Sequence, residues 1–341
     1  MFRFYCTIDD LRPVAEHGFK YVSDALDAIK QASIFLEGEY QLDGNFIPIT
    51  DTRSFDGDGS LDLYLRDPLL SITSITLDTT TLATSDYLLY PLNKCWQNGP
   101  YTRIHVDPDA SNLYEWTDER DIVSIVGTYG KFDNYTDTGE DITQAAAATA
   151  TITVTNGANV VIGMILLIES EQEAVTGYGD ATSATSLVDG AIAKGDTNIT
   201  VDDASEFNIG ELIKIGTEKM RINDIDTGNE NLYVDRSYDG TRLQAHNDDS
   251  AISVYRTYTV ERGVNGTTAA AHSSKSAYQY LPPYDVRYLC KQIASLMIEK
   301  GRSRYAGKTG NVDLGEVFYM NEFPKNEIEQ VRKNYFTRSM T

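Results

Sequence analysis

Two histidines stand at the same place in two copies of one sequence phrase. The phrase reads VDRSYDGTRLQAH over residues 234–246 and VERGVNGTTAAAH over residues 260–272. Imidazole is the side chain best suited to acid–base catalysis near neutral pH. A duplicated catalytic site would need the same Ser, Cys or carboxylate partner twice, and we identify no such common partner. The spacing therefore favours a repeated structural unit in which His246 and His272 are hydrogen-bonded in loops.

Each copy of the phrase also contains a turn signal. Asp239-Gly240 and Asn265-Gly266 are dipeptides typical of turns in which both central residues have positive φ. The valine that begins each phrase and the threonine that follows each dipeptide suit flanking strands. Arg236, like the arginine of the other phrase, is expected on a strand face, where it could pair with a local acid. We therefore interpret the two dipeptides as structural turns of the repeat.

No other stretch carries an enzymatic signature. The segment AGKTGN, residues 306–311, resembles part of a phosphate-binding loop, but Gly301 precedes Gly307 by one residue too many. The acidic stretch DGDGSLD, residues 56–62, lacks the glycine and closing glutamate of a calcium loop. The four histidines show no HxH or HxxxH spacing, and no GxSxG occurs. We predict that the protein is not an enzyme and has no catalytic residue, metal site or cofactor.

The charge of the chain argues against a nucleic-acid-binding protein. The 341 residues have a net charge of −22. Residues 1–139 carry 23 acidic and 10 basic side chains, residues 140–281 carry 21 and 9, and residues 282–341 carry 7 and 10. Duplex binding depends on Lys and Arg neutralising phosphates, so the first two segments should repel DNA. Only the short basic segment is expected to face an acidic partner.

Neither a membrane span nor a secretion signal is predicted. The longest apolar run, Val160–Ile168, has nine residues and is interrupted by Gly163, whereas a helix needs about 18 or more to cross a bilayer. The first ten residues contain one basic residue and no apolar run. Cys6, Cys95 and Cys290 are widely spaced and odd in number, which favours reduced thiols in a protein made in the cytoplasm.

The hydrophobic periodicity divides the chain into helical ends and a strand-rich middle. Apolar residues recur with helical spacing over residues 22–36 and again over residues 286–297, and a last helix fits residues 323–336. Short alternating runs bounded by turn residues, typical of antiparallel strands, fill most of residues 61–281. This order predicts an α+β fold: a helical core with a small antiparallel β sheet, plus an all-β insertion domain.

A second internal repeat lies inside the strand-rich part. The segments that begin at Ile152 and Ile199 align at a constant offset, which pairs apolar with apolar residues, glycine with glycine, and Glu171 with Glu218. Only the second segment runs directly into a copy of the repeated phrase. The first segment breaks off after Gly177, and the remaining phrase comes after the whole second segment. The repeat therefore predicts two nested modules.

The predicted domain organisation follows from this nesting. Residues 1–145 together with 282–341 form the core, and residues 146–281 form an inserted β domain. Within the insertion, an outer module comprises residues 149–177 and 257–281, and an inner module comprises residues 178–256. Loops accept such insertions because the entropy of loop closure grows only slowly with length.

The outer segments resemble a known family of viral proteins. A helix, LDAIKQASIFLEGEY, precedes the strands LDLYLRDPLLSITSITLDTTTLATSDYLLYP, TRIHVDP and DIVSIVGTYGKFD, and a closing helix follows, VRYLCKQIASLMIEKGRSRY. This order of apolar positions and turns resembles the head–tail connector, or adaptor, proteins of tailed bacteriophages. The resemblance covers residues 8–135 and 282–338. It leaves out the insertion, whose repeated phrase is similar to small β modules of phage structural proteins.

The resemblance implies a structural virion protein at the head–tail interface, made in the host cytoplasm. Members of the family form rings, typically twelve-fold, that dock beneath the portal protein, extend the DNA channel and contact the next neck or tail-completion protein. Collar or fibre proteins are further expected partners of the β insertion, whereas sequence-specific nucleic acid and membranes are not expected. Family members commonly engage the portal through C-terminal helices, which implies an interface at Arg302, Arg304, Lys308, Arg332, Lys333 and Tyr335. The alternative is a virion-surface decoration or fibre-attachment protein whose β modules bind a partner.

Overall fold

Antiparallel sheets are the main regular structure of the molecule. The computed structural model describes residues 2–14, 21–93, 99–302, 308–311, 316–319 and 324–335. Strands account for 39% of the structure and four helices for only 18%. The prediction of an α+β fold with a helical core is therefore wrong, because the protein is mostly β and is built on three six-stranded antiparallel sheets.

The first sheet comes from the N-terminal part of the chain. Its strands are β1 (Ile49–Phe55), β2 (Asp62–Leu77), β3 (Thr80–Thr81), β4 (Tyr87–Tyr90), β5 (Tyr101–Val106) and β6 (Val123–Tyr129). The strand order is β1-β6-β2-β5-β4, with β3 on β2. Trp116 and Tyr129 are fully buried in the apolar core of this sheet, which also includes Ile104 and Ile125.

Two further sheets lie in the middle of the chain. The outer sheet contains β7 (Tyr135–Gln144), β8 (Thr151–Thr153), β9 (Ile165–Ile168), β10 (Glu171–Tyr178), β17 (Thr257–Glu261) and β18 (His272–Tyr280). The inner sheet contains β11 (Thr182–Leu187), β12 (Asn198–Thr200), β13 (Leu212–Ile215), β14 (Glu218–Asp226), β15 (Asn231–Asp235) and β16 (Ala251–Val254). All strands of the inner sheet thus come between β10 and β17 of the outer sheet.

The outer and inner sheets have the same topology. The outer order is β7-β18-β9-β10-β17-β8, and the inner order is β11-β16-β13-β14-β15-β12. If the strands of each sheet are numbered one to six along the chain, both sheets read one, six, three, four, five, two. The inner strands enter at the end of β10 and leave before β17, where Gly179 N donates to Thr257 O at 2.8 Å. The insertion therefore opens a β-hairpin of the outer sheet.

Helices come from the two ends of the chain. They are α1 (Ile8–Leu11), α2 (Val22–Leu36), α3 (Tyr284–Arg302) and α4 (Lys325–Asn334), and a two-stranded hairpin of β19 (Lys308–Asn311) and β20 (Glu316–Tyr319) precedes α4. Thr7 and Asp10 cap α1 reciprocally, each side chain accepting from the backbone N–H of the other. Among the described residues, no helix combines the length and hydropathy that a bilayer-spanning segment needs.

The two ends of the chain meet. Arg287 of α3 forms an ion pair with Asp10 of α1, with 2.5 Å between Nη2 and Oδ1. The Sγ atoms of Cys6 and Cys290 lie 3.4 Å apart, and both thiols are buried. The packed ends therefore join residues that are more than 270 positions apart in the sequence.

The helices and the outer sheet share one apolar core. Ile29 of α2 and Ile293 of α3 belong to the same buried cluster as Ile165 and Ile168 of β9. The inner sheet has a separate core, and so does the first sheet. Helical periodicity in the sequence identifies the buried face of a helix but not the element that covers it. Here much of that cover is a sheet, which is why the predicted helical core does not exist.

Candidate functional site

We call the outer sheet with its copy of the repeated phrase the outer unit, and the inner sheet with its copy the inner unit. In the outer unit, the phrase completes a buried ion cluster. Arg262 donates from Nε and Nη2 to the two carboxylate oxygens of Glu171, each at 2.7 Å, and His272 Nε2 donates at 2.9 Å. The backbone N–H groups of Gly263 and Ala270 also donate to this carboxylate, both at 2.9 Å. The Glu171 carboxylate is therefore buried with every lone-pair direction directed at a donor.

In the inner unit, the phrase builds the same cluster a second time. Arg236 donates from Nε and Nη2 to Glu218, each at 2.9 Å, and His246 Nε2 donates at 2.9 Å. The backbone N–H groups of Ser237 and Gln244 donate at 3.1 Å. Each donor occupies the same position of the phrase as its counterpart in the outer unit, so the duplication has kept the whole arrangement.

Both cluster glutamates are held ionised. Burial alone would raise the pKa of Glu171 and Glu218, but the hydrogen bonds from arginine, histidine and backbone outweigh it and lower each pKa to about 2. Removing one partner from a buried ion pair costs roughly 3–5 kcal/mol, because the other charge is left uncompensated. Each cluster therefore links the segment after the fifth strand of its sheet to the fourth strand of the same sheet.

The structure corrects the interpretation of the two histidines. His272 begins β18 and His246 forms a bridge with Ile192, and both are buried instead of lying in loops. Their common carboxylate partner, which we did not identify from the sequence, is the glutamate at position 171 or 218. The signal was available, since the constant offset of the second repeat had already paired these two glutamates.

The outer unit buries a second carboxylate beside the first. Glu173 is fully buried on β10, with Arg262 Nε 2.8 Å from its Oε1, and Gln144 Nε2 donates to its Oε2 at 3.2 Å. Burial raises the pKa of Glu173 to about 7, while Arg262 and Gln144 oppose the rise and Glu171 adds to it. The short Arg262 contact is not aligned as a hydrogen bond, so Glu173 Oε1 accepts none.

The inner unit has apolar residues where the outer unit has this polar pair. Met220 occupies the position of Glu173, two residues after the cluster glutamate, and it is fully buried. Ile192 pairs with the cluster histidine of the inner unit as Gln144 does in the outer unit. Both apolar residues belong to the core of the inner sheet. The fold therefore does not require a second carboxylate at this position.

A metal centre at the outer cluster is geometrically possible but chemically disfavoured. Glu171, Glu173 and His272 each offer one ligand atom, and these atoms lie within 4.8 Å of one another. Both oxygens of Glu171 already accept from Arg262, whose guanidinium supplies the positive charge that a metal would bring. A divalent cation bound there would be repelled by this guanidinium at short range. The donor set fits a closed ion cluster better than a metal site.

The turn of the outer phrase attaches the outer unit to the first sheet. The φ angles are 55° at Asn265 and 82° at Gly266. A Cβ at Gly266 would lie 1.8 Å from the carbonyl oxygen of Thr50 in β1, so the close approach requires glycine. Asn265 Nδ2 donates to Gln172 Oε1, and Gln172 Nε2 donates to the carbonyl of Pro48, both at 2.9 Å. The attachment uses uncharged groups throughout.

The turn of the inner phrase attaches the inner unit to the N-terminal segment through charges. The φ angles are 51° at Asp239 and 70° at Gly240. Asp239 Oδ1 accepts from Arg12 Nη2 at 2.5 Å, and Lys219 Nζ lies 3.5 Å from Asp239 Oδ2. Lys219 is the counterpart of the glutamine used by the outer unit. The same two positions of the repeat therefore carry amides in one copy and ions in the other.

The residues predicted to face a portal protein lie in the C-terminal segment. Arg302 is the last residue of α3 and Lys308 the first of β19, whereas Arg304 lies outside the described residues. Arg332 and Lys333 belong to the last turn of α4. The side chains of Arg302, Arg304 and Lys308 lie outside the described part of the structure, and the portal protein as partner remains a prediction.

Lys333 and Tyr335 make contacts within the chain. Lys333 Nζ pairs with Glu329 at 2.9 Å one helical turn away, and both side chains are largely exposed. The Tyr335 hydroxyl donates to Asp285 of α3 at 3.1 Å, and its ring packs edge-on against Phe46 at 5.2 Å between centroids. Tyr335 thus fastens the end of α4 to the body of the protein.

No family model, no curated protein and no solved structure matches the sequence or the fold. The attachment of the units, the buried clusters and the distribution of charge are therefore the features that bear on function.

Proposed function

We propose that the protein is a structural component of a tailed-phage virion that forms a ring between the portal and the tail or the next neck protein. In this role it extends the channel through which DNA leaves the head. Its partners are the portal protein, the next neck or tail-completion protein and further copies of the same chain. The proposal rests on the resemblance of the outer segments and on the way in which those segments are placed in the fold.

The observation that carries the proposal is the packing of the two chain ends. The segments that resemble connector proteins stand at opposite ends of the sequence, yet α1, α2 and α3 pack together and share a core. The ion pair between Asp10 and Arg287 and the contact between Cys6 and Cys290 join them directly. A chance resemblance of two unrelated segments would give no reason for the segments to form one body.

The charge distribution supports a DNA channel. The chain has a net charge of −22, and the acidic excess lies in residues 1–281. A channel lined by such a protein would repel the phosphates of the duplex and let it slide without binding. The chemistry that the two copies of the repeat share also suits a structural role, because each Glu–Arg–His cluster is closed and buried. Buried, saturated groups of this kind stabilise a particle component and offer nothing to a substrate.

One observation favours the alternative, a decoration or fibre-attachment protein. The inner sheet has its own apolar core and is attached to the N-terminal segment by ion pairs, including Arg221 with Asp9 at 3.0 Å. A unit with this independence could bind a partner on the virion surface. The two functions differ in which part of the chain is essential, so an excision separates them.

The excision follows from the topology. Residues 180–256 are replaced by Asn-Gly, which joins Gly179 to Thr257 as a two-residue hairpin between β10 and β17. The shared core of the helices and the outer sheet remains complete, because the inner core is separate. The excised chain, the full chain and no chain are then compared during particle assembly. Purified particles are imaged with an antibody against the chain.

The connector function predicts three results together. Particles assembled without the chain lack joined tails, the excised chain restores joining, and the antibody labels the neck. Label on the capsid or on fibres, with head–tail joining unaffected by loss of the whole chain, would instead support the decoration protein and contradict the connector. An excised chain that folds, as judged by circular dichroism, but fails to join tails would show that the inner unit itself is part of the connection.

A further inference from the structure

One face of α3 carries an exposed aromatic pair. Tyr284 is 77% exposed and Tyr288 is 39% exposed, and their rings stack at 6.3 Å between centroids. Lys291 Nζ lies 5.2 Å from the ring of Tyr288. The spacing of four and then three residues places all three on one side of the helix. We call this surface the α3 face.

The α3 face has the composition of an interface centre. Single exposed tyrosines are common on protein surfaces and need no partner. A stacked tyrosine pair is different, because tyrosine is enriched at interface centres and offers a large contact area that loses little conformational entropy on binding. The tyrosine hydroxyls and the ammonium group all donate hydrogen bonds, so the face is suited to a surface rich in carboxylates.

A patch of such carboxylates lies on the first sheet of the same chain. Two loops meet there: Gly57 N donates to the carbonyl of Glu119 at 2.9 Å, and Asp121 N donates to Asp56 Oδ1 at 2.8 Å. The exposed acidic residues of the two loops are Asp56, Asp58, Glu115, Asp118, Glu119 and Asp121. Arg120 is the one basic residue among them in residues 56–58 and 115–121. We call this surface the acidic patch.

We propose that the α3 face of one copy of the chain binds the acidic patch of a second copy. Residues 282–341 are the only segment with a basic excess, 10 basic against 7 acidic side chains, so a second copy offers mostly acidic surface to the α3 face. The two surfaces belong to different parts of the chain. A contact between unlike surfaces repeats head to tail and closes into a ring when the rotation between copies permits.

This inference rests on the proposed ring, and it identifies the contact between neighbouring copies in that ring. The test places the photo-cross-linking residue p-benzoylphenylalanine at position 284 of the full-length chain. The matched control carries the same residue at Tyr40, which is 83% exposed and lies outside the α3 face. Both proteins are irradiated at increasing concentration, and cross-linked peptides are identified by mass spectrometry. Self-association is measured in parallel by sedimentation at low and high salt.

The expected result is a cross-linked dimer from position 284 only, with attachment in residues 54–60 or 113–122. Lys291→Glu should weaken self-association about fivefold or more at low salt, because it replaces attraction by repulsion. Adding Asp118→Lys should restore most of the loss. The double reversal is the decisive variant, since a damaged helix would not be rescued by a change on the first sheet.

Other outcomes overturn the inference. They are a chain that stays monomeric at all concentrations, a cross-link from position 284 to another region, or a Lys291→Glu variant that associates normally. Failure here is distinguishable from failure of the proposed function. A chain that labels the neck but associates through another surface contradicts only the lateral contact. Association through the α3 face by a chain absent from the neck contradicts only the connector function.

Discussion

Replacing Glu173 by methionine copies the inner unit into the outer unit and tests the buried carboxylate. The pKa of Glu173 is raised to about 7, whereas an unfolded chain has the ordinary value of 4.5. The difference corresponds to about 3 kcal/mol. Between these pH values the folded chain keeps a proton that the unfolded chain loses. The free energy of unfolding of the outer unit should therefore fall as the pH rises from about 4.5 to 7 and stay low above 7.

Glu173→Met removes this pH dependence and also one hydrogen bond. The bond from Gln144 contributes about 1 kcal/mol, and the Gln144 amide keeps two weaker contacts to backbone carbonyls of Thr149 and Thr151. At pH 8 the variant should therefore be about 2 kcal/mol more stable than the unmodified chain. Near pH 5 it should be equal or slightly less stable. The two stability curves are expected to cross between pH 5 and 6.

Hydrogen exchange measures this locally, which matters because the chain contains three separate cores. Opening free energies of β10 and β18 are compared at pH 5.5 and 8 after correction for intrinsic exchange, with β13 and β14 of the inner sheet as internal reference. Glu173→Gln is the control that keeps the shape but cannot ionise. Met220→Glu is the mirror variant and should introduce the same pH dependence into the inner sheet. If Glu173→Gln leaves the pH dependence of β10 unchanged, the reasoning is refuted, because the titrating group is then elsewhere in the cluster.

Three further predictions concern the buried clusters, the Arg12–Asp239 ion pair and the hydrogen bond of Tyr335. Glu218→Gln should destabilise the inner sheet by roughly 3–5 kcal/mol and leave the outer sheet unaffected, and Glu171→Gln should do the reverse, as measured by hydrogen exchange of each sheet. A double-mutant cycle between Arg12 and Asp239 should give a coupling of about 1.5–3 kcal/mol at low salt that shrinks at high salt, and an unchanged value at high salt would argue against an ionic attachment. Tyr335→Phe should loosen α4 by about 1 kcal/mol, seen as faster exchange of α4 with α3 unchanged.

Local patterns predicted the helices well but not their role. α2 covers the predicted residues 22–36, and α3, Tyr284–Arg302, includes the predicted residues 286–297 and extends beyond them at both ends. Periodicity of 3.6 residues follows from one buried stripe, whatever lies on it. The assignment of a helical core needed the identity of the covering element, and that depends on long-range pairing such as β9 with β18. No local pattern carries this information.

The candidate site was predictable in part. The sequence contained the offset that pairs Glu171 with Glu218, and it contained an arginine and a histidine at fixed positions in each phrase. A glutamate kept at the same position of two strand-rich segments that otherwise pair apolar residues is itself a signal of a buried ion pair. What the sequence could not show is the role of the turns. Asp239 and Asn265 are turn residues by local chemistry, but the contact of Asp239 with Arg12 after α1 and that of the outer turn with β1 arise only from the packing of distant parts of the chain.

The two copies of the repeat differ in where they place their polar side chains. The outer copy has an additional polar pair in its core, and the inner copy has charged side chains at its attachment. The outer copy buries Glu173 and Gln144 and is attached by amides, and its core continues into the helices. The inner copy buries Met220 and is attached by Arg12 and Asp239. Apolar burial does not weaken with salt, whereas partly exposed ion pairs do. The outer unit therefore shares its apolar core with the helices, whereas the attachment of the inner unit to the N-terminal segment relies on ion pairs that high salt should weaken. In the proposed connector, this ionic attachment is the contact through which a charged neighbour would act on the inner unit.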